Sequence, residues 1–158
     1  MDDKLVRRLE NAGKLRKQKA GFVQIEALLK ETILDLEEAH TIAHLAERAT
    51  YLLAYNAMLK GGRALMLMHG FVPAGGGQHK TVVEMTSAVL GDRYRTLTDH
   101  FETMRRKRNV MTYEAGTLLS KSEAQRAFAD AITLLKKILA ETKVRNPQLE
   151  LKFDLGEK

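Results

Sequence analysis

The stretch ERATYLLAYNAMLKGGRALMLMH, residues 47–69, decides the fold because its apolar residues lie most of the way round a helical projection. A helix that is apolar on nearly all sides is buried among other elements rather than lying on a surface. We therefore predict that this stretch is the central helix of the protein. Its predicted inward residues include Leu52, Tyr55, Leu59 and Met66.

Four amphipathic segments flank the central helix. Apolar residues recur at spacings of three and four in residues 22–43, 78–90, 93–108 and 123–145, as in helices with one buried face. Ser122 is a candidate N-cap for the last of these helices. Because short loops join the segments, the expected fold class is all-α, an antiparallel up-and-down bundle of about five main helices.

Length and composition limit the class of protein. The 158 residues suit one domain, which we expect at 21–146, with a basic arm or short helix at 1–20 and a tail at 147–158. The absence of cysteine excludes a disulfide scaffold, a thiol nucleophile and a zinc–cysteine site. Because no signal core or membrane-length apolar window occurs, we expect a cytoplasmic protein without a membrane partner.

The net charge of +6 favours an acidic partner. Four consecutive cations end one of the amphipathic helices: Arg105, Arg106, Lys107 and Arg108. Asn109 follows this basic run directly, and Tyr113 lies four residues further on. Such a run is typical either of a solvated helix face or of a site that binds phosphodiesters.

The glycine-rich loop at 70–77 leads to His79 and Lys80. A nucleotide phosphate loop is not expected there, because no strand is predicted before the glycines and the Gly-Lys-Ser/Thr spacing is absent. His79 is either a polar residue of a helix N-terminus or a proton-transfer group. Lys80 is a candidate phosphate contact. Two other histidines, His40 and His44, lie one helical turn apart but lack a third ligand, so we expect no metal site.

Three blocks of the sequence, in their order and spacing, resemble a bacterial subfamily of HEPN domains. Residues 54–65, AYNAMLKGGRAL, look like the second helix of that family. Residues 70–84, GFVPAGGGQHKTVVE, are similar to the join that follows it, and the basic run with Asn109 and Tyr113 is similar to an Arg-x-x-Arg-Asn…Tyr motif. The resemblance covers most of the chain.

The resemblance implies a helical bundle that forms a homodimer. Many family members are metal-independent endoribonucleases of toxin–antitoxin, antiphage and CRISPR systems, and others bind nucleotides or pair with a small nucleotidyltransferase. The resemblance assigns phosphate binding to Arg108 and a supporting hydrogen bond to Asn109. The family's catalytic histidine falls at Tyr113, whose phenol, with an ordinary pKa of about 10, is a poor base at neutral pH.

Two functions are therefore expected, and neither needs a cofactor. The first is an RNA- or nucleotide-binding component of a toxin–antitoxin or defence-type system, acting with a nucleotidyltransferase partner and without catalysis. The second is a metal-independent endoribonuclease that cleaves RNA through 2′-hydroxyl attack at a dimer cleft. In the second case Tyr113, His79 or both would transfer the protons.

Overall fold

The central helix is present in the computed structural model, which describes residues 2–155. Along the chain the elements are α1 (Asp3–Asn11), β1 (Leu15–Lys17), α2 (Phe22–Ile42), α3 (Glu47–Met68), β2 (Phe71–Pro73), α4 (Gln78–Leu90), a 3₁₀ turn (Asp92–Tyr94), α5 (Arg95–Tyr113) and α6 (Lys121–Arg145). The predicted all-α helical bundle is confirmed. The described residues form six α-helices, namely five long helices and α1, which lies in the segment predicted as a basic arm or short helix.

The helix α3 lies at the centre and contacts α2, α4, α5 and α6. Of its predicted inward residues, Tyr55 and Met66 are completely buried and Leu59 is buried, whereas Leu52 is only half-buried. Gly62 lets α4 approach α3 closely, since a Cβ at this position would overlap side chains of α4. This approach fixes α4, whose first turn carries His79.

The N-terminal segment is held against the glycine-rich loop by a small sheet. Its two strands, β1 and β2, pair antiparallel with Leu15 opposite Pro73. Our expectation that no strand precedes the glycines is therefore wrong, because three-residue strands paired across a long stretch of sequence leave no periodic signal. Lys14 also fastens the loop, since its Nζ donates to the carbonyl of Gly76 at 2.8 Å.

Two predicted helix ends are wrong. The N-cap of α6 is Ser120 rather than Ser122: the Ser120 hydroxyl accepts from the Glu123 N–H, and the Glu123 carboxylate accepts from the Ser120 N–H, both at 3.0 Å. The helix α5 continues beyond Arg108 to Tyr113, so the whole of the family-like motif is helical.

The predicted C-terminal tail packs on the bundle in its described part. Leu149 is buried, and Leu151 and Phe153 pack against the core. Residues 156–158 of the predicted tail, like residue 1 of the predicted arm, lie outside the described residues. Across residues 2–155, no helix combines the length and apolar character needed to cross a bilayer.

Candidate phosphate-binding site

The site is built around the first turn of α4. Gly77 precedes this helix with a φ of 68°, a left-handed conformation that glycine adopts without strain. Gln78 begins the helix and connects it to its surroundings: its Oε1 accepts from Nη2 of Arg63 on α3, and its Nε2 donates to the Gly75 carbonyl, both at 3.3 Å. The first turn of α4 thus presents backbone N–H groups and a positive dipole end beside a guanidinium group.

The ring of His79, the next residue, directs its Nδ1 atom towards the interior of the protein. The Nδ1 atom lies 3.0 Å from the hydroxyl oxygen of Tyr55 on α3, within hydrogen-bond distance. Tyr55 is completely buried, whereas His79 is half-buried. Because a buried hydroxyl seldom lacks a hydrogen-bond partner, this contact anchors the His79 ring against α3.

The helix α5 contributes two guanidinium groups whose charges act on His79 and Tyr55. Arg105 and Arg108 are three residues apart and therefore share one face of the helix. Arg105 donates from Nε and Nη2 to the carboxylate of Glu102. Arg108, like Arg63, has no carboxylate partner among residues 2–155. Two of the three arginines of the site thus retain an uncompensated positive charge.

The electrostatic effect of these arginines is visible at His79 and Tyr55. Burial lowers the pKa of His79, and the charges of Arg108, Arg63 and Arg105 lower it further. Burial raises the pKa of Tyr55 well above the ordinary value of a phenol, although Arg108 and Arg105 oppose this effect. Both rings are therefore neutral at pH 7, and the positive charge of the site belongs to the guanidinium groups.

The remaining cations of the basic run point elsewhere. Arg106 is largely solvent-exposed and lies 3.5 Å from Glu102. Lys107 contacts the segment before α6, where its Nζ donates to the Leu118 carbonyl at 2.7 Å and lies 3.3 Å from the Glu123 carboxylate. Lys107 thus fastens α5 to the start of α6. Lys80, on α4, is exposed. The hydrogen bond from Arg105 lowers the pKa of Glu102, and the charge of Lys80 adds to this effect.

The two polar residues after the run do not join the His79 pair. Asn109 is half-buried, and its side chain has no hydrogen-bond partner within the described part of the chain. Tyr113 is 82% exposed. Since five residues of helix correspond to a rotation of about 140°, Tyr113 and Arg108 project from different faces of α5.

Sequence reasoning missed the roles of Tyr55 and Arg63 at this site. Tyr55 was predicted only as a core residue of α3, because its hydroxyl partner lies 24 residues away. The sequence does distinguish Arg63, since it is a charged residue among small and apolar neighbours that are buried, namely Gly61, Gly62, Ala64 and Leu65. A charged residue in an otherwise buried helix is informative, because charged side chains are seldom buried without a partner.

A metal centre is not found in the described chain. No group of three or more potential histidine, cysteine or carboxylate ligands occurs among residues 2–155. His40 and His44 are both exposed, and the ring of His40 stacks on Phe128 with ring centroids 6.1 Å apart.

No protein-family model, curated protein or solved structure significantly matches this chain. The HEPN resemblance therefore remains a hypothesis that rests on the three sequence blocks.

Proposed function

We propose that the chain binds the phosphate groups of RNA at the first turn of α4, through Arg63, Arg105 and Arg108. One observation carries this proposal: Arg63 donates to Gln78 at the first turn of α4, and neither Arg63 nor Arg108, whose charge also acts on His79, has a carboxylate partner in residues 2–155. Uncompensated cations at a helix N-terminus form a ready-made environment for an anion.

The residue types favour a phosphate over a simple carboxylate. Guanidinium groups bind phosphate oxygens in a bidentate manner, and several of them can share one phosphodiester. The net charge of +6 would attract a polyanion from a distance. RNA is proposed in particular because of the resemblance to HEPN domains. A nucleotide carries the same phosphate chemistry and is distinguished from RNA in the binding experiment.

The same resemblance supports a homodimer and a nucleotidyltransferase partner in a toxin–antitoxin or defence-type system. Three exposed apolar or aromatic side chains occur where α5 meets the segment before α6: Val110, Tyr113 and Leu118. The bond from Lys107 to the Leu118 carbonyl holds this segment against α5. A second copy that covered this end of α5 would bring a second basic run close to the first.

A second candidate function is metal-independent cleavage of RNA. The position of His79 favours it, because an imidazole of lowered pKa lies within the charge field of Arg108. A half-buried imidazole that is neutral at pH 7 is a better proton acceptor than the exposed phenol of Tyr113. In this alternative His79 would take the proton of the 2′-hydroxyl as its oxygen attacks phosphorus, and Arg108 would stabilise the negative charge on the non-bridging oxygens. The bond from phosphorus to the 5′-oxygen would break and leave a cyclic phosphate, and His79 would return its proton to the leaving 5′-oxygen.

Fluorescence anisotropy with a labelled single-stranded RNA tests the proposal. Arg108→Ala should weaken binding by roughly 1–3 kcal/mol, about 5- to 150-fold, because it removes a charge-assisted hydrogen bond to phosphate. It should also reduce the salt slope by about 0.7. Arg126→Ala, which removes the same charge from the exposed face of α6, is the matched control and should have little effect.

Two results distinguish RNA binding at this site from a general effect of net charge and from nucleotide binding. Equal loss of affinity in Arg108→Ala and Arg126→Ala would show that only net charge matters and would reject the site. Competition by a free nucleoside phosphate at micromolar concentration would identify a nucleotide rather than RNA as the ligand.

A further inference from the structure

His79 is paired with a tyrosine hydroxyl that has no other acceptor among residues 2–155. The Tyr55 ring is completely buried and packs edge-on against Phe101, with ring centroids 6.0 Å apart. In the described chain, the single hydrogen-bond partner of its hydroxyl is Nδ1 of His79. Because a buried hydroxyl without an acceptor is costly, Tyr55 donates this bond and Nδ1 of His79 accepts it.

The direction of this bond fixes the hydrogen on the imidazole. A neutral histidine ring carries one hydrogen, either on Nδ1 or on Nε2. Since the Nδ1 lone pair of His79 is occupied by the Tyr55 hydroxyl, the hydrogen lies on Nε2, which has no partner among residues 2–155. His79 therefore offers an N–H donor, and no lone pair, to a ligand bound beside it.

The residues around His79 also disfavour the protonated, charged form of its imidazole ring. The charged side chains around the site, taken from all three helices that build it, are Arg63, Lys80, Glu84, Glu102, Arg105 and Arg108. Both carboxylates are engaged, Glu102 by Arg105 and Glu84 by Arg8. Burial and the arginines lower the pKa of His79, and protonation of Nδ1 would displace the hydrogen of Tyr55.

We propose that Tyr55 is a positioning residue that holds His79 as the neutral Nε2–H tautomer, so that His79 donates a hydrogen bond to a phosphate oxygen instead of acting as a base. This inference rests on the phosphate-binding function proposed above. Attack by a 2′-hydroxyl needs a lone pair to accept its proton, and Nε2 of this tautomer has none. The site therefore takes a phosphodiester that it binds through its non-bridging oxygens and leaves intact.

The tautomer is measured by NMR on the full chain labelled with ¹⁵N, because protonated and unprotonated imidazole nitrogens differ in chemical shift. The loss of signals in His79→Gln assigns the ring. At pH 7 we expect an unprotonated Nδ1 and a protonated Nε2 in the parent chain. Tyr55→Phe removes the hydroxyl but keeps the ring, and should give a mixture of tautomers with a higher His79 pKa. A hydrogen on Nδ1 in the parent chain, or an unchanged ring in Tyr55→Phe, overturns the inference.

The donor role is measured separately, by binding of the same single-stranded RNA. His79→Ala removes the donor and should weaken binding about tenfold. His79→Gln keeps an N–H donor and should recover most of that loss. Equal losses in the two variants overturn the donor role. If the parent chain does not bind RNA at low salt, the proposed function and the donor role both fail, whereas the tautomer is decided without any ligand.

Discussion

Replacing Gly62 with alanine tests the close approach of α4 to α3 on which the site depends. A Cβ on Gly62 would lie 2.6 Å from Cγ1 of Val82 and 2.7 Å from Oγ1 of Thr86. Gly61 is a matched control, because it precedes Gly62 in the same helix, and its Cβ would meet Cδ1 of Ile138 at 3.2 Å. Either substitution gains about 1 kcal/mol of helix propensity, so the difference between them isolates the contact.

The contacts at Gly61 and Gly62 differ in how easily the neighbouring side chains can move aside. Cδ1 of Ile138 is the end of a flexible side chain and can yield by a few tenths of an ångström. Val82 and Thr86 are β-branched and stiff at χ1, so relief at Gly62 requires a movement of α4 as a whole. Overpacking of a core costs about 1–3 kcal/mol. After subtraction of the propensity gain, Gly62→Ala should lower the free energy of unfolding by up to about 2 kcal/mol.

Urea denaturation followed by circular dichroism measures this difference. Gly61→Ala should change the free energy of unfolding by less than about 1 kcal/mol in either direction. In Gly62→Ala the movement of α4 should also separate His79 from Tyr55, which NMR would detect as a higher pKa of His79. Equal unfolding free energies for the two variants would refute the close approach of α4.

Three further perturbations test other parts of the structure. Ser120→Ala removes the N-cap of α6 and should lower the free energy of unfolding by about 1 kcal/mol, whereas Ser122→Ala should not. In a spectrophotometric titration, Tyr51 and Tyr55 should ionise late, because burial, more than a nearby carboxylate, raises the pKa of Tyr51 to about 12 and burial also raises that of Tyr55. Their contribution to stability is present below about pH 10 and is lost as the pH rises through the folded-state values. The folded-state pKa of His79 is lowered, so its contribution is present above about pH 6.5 and is lost as the pH falls. The parent chain should therefore lose stability between about pH 7 and 5 more steeply than His79→Gln, as measured by urea denaturation at each pH.

The fold was largely predictable because α3 and its neighbours have long, clear apolar patterns. The predictions that were wrong concern features for which the sequence leaves more than one possibility open. Both Ser120 and Ser122 are followed three residues later by Glu or Gln, so each fits a capping box, and only the packing of α6 selects Ser120. The strand β2 is too short to have a pattern of its own.

The site was predictable only in part. The charge and spacing of Arg105 and Arg108 indicate a shared helix face, and the charges of both residues act on His79. The expected grouping of Tyr113 with Arg108 came from the resemblance to HEPN domains. In the structure α5 continues to Tyr113, and their separation of five residues places the two side chains on different faces of the helix. The hydrogen bond between Tyr55 and His79 joins two helices, and no local sequence pattern predicts it.

NMR mapping of the arginine Nε–H signals during titration with a short single-stranded RNA tests the central claim most directly. We predict saturable shifts for Arg63 and Arg108 and for the Nε2–H of His79, with Arg126 unchanged and the RNA intact at the end. Shifts confined to Arg126 and other exposed cations, or the absence of any shift at low salt, would contradict phosphate binding at the first turn of α4.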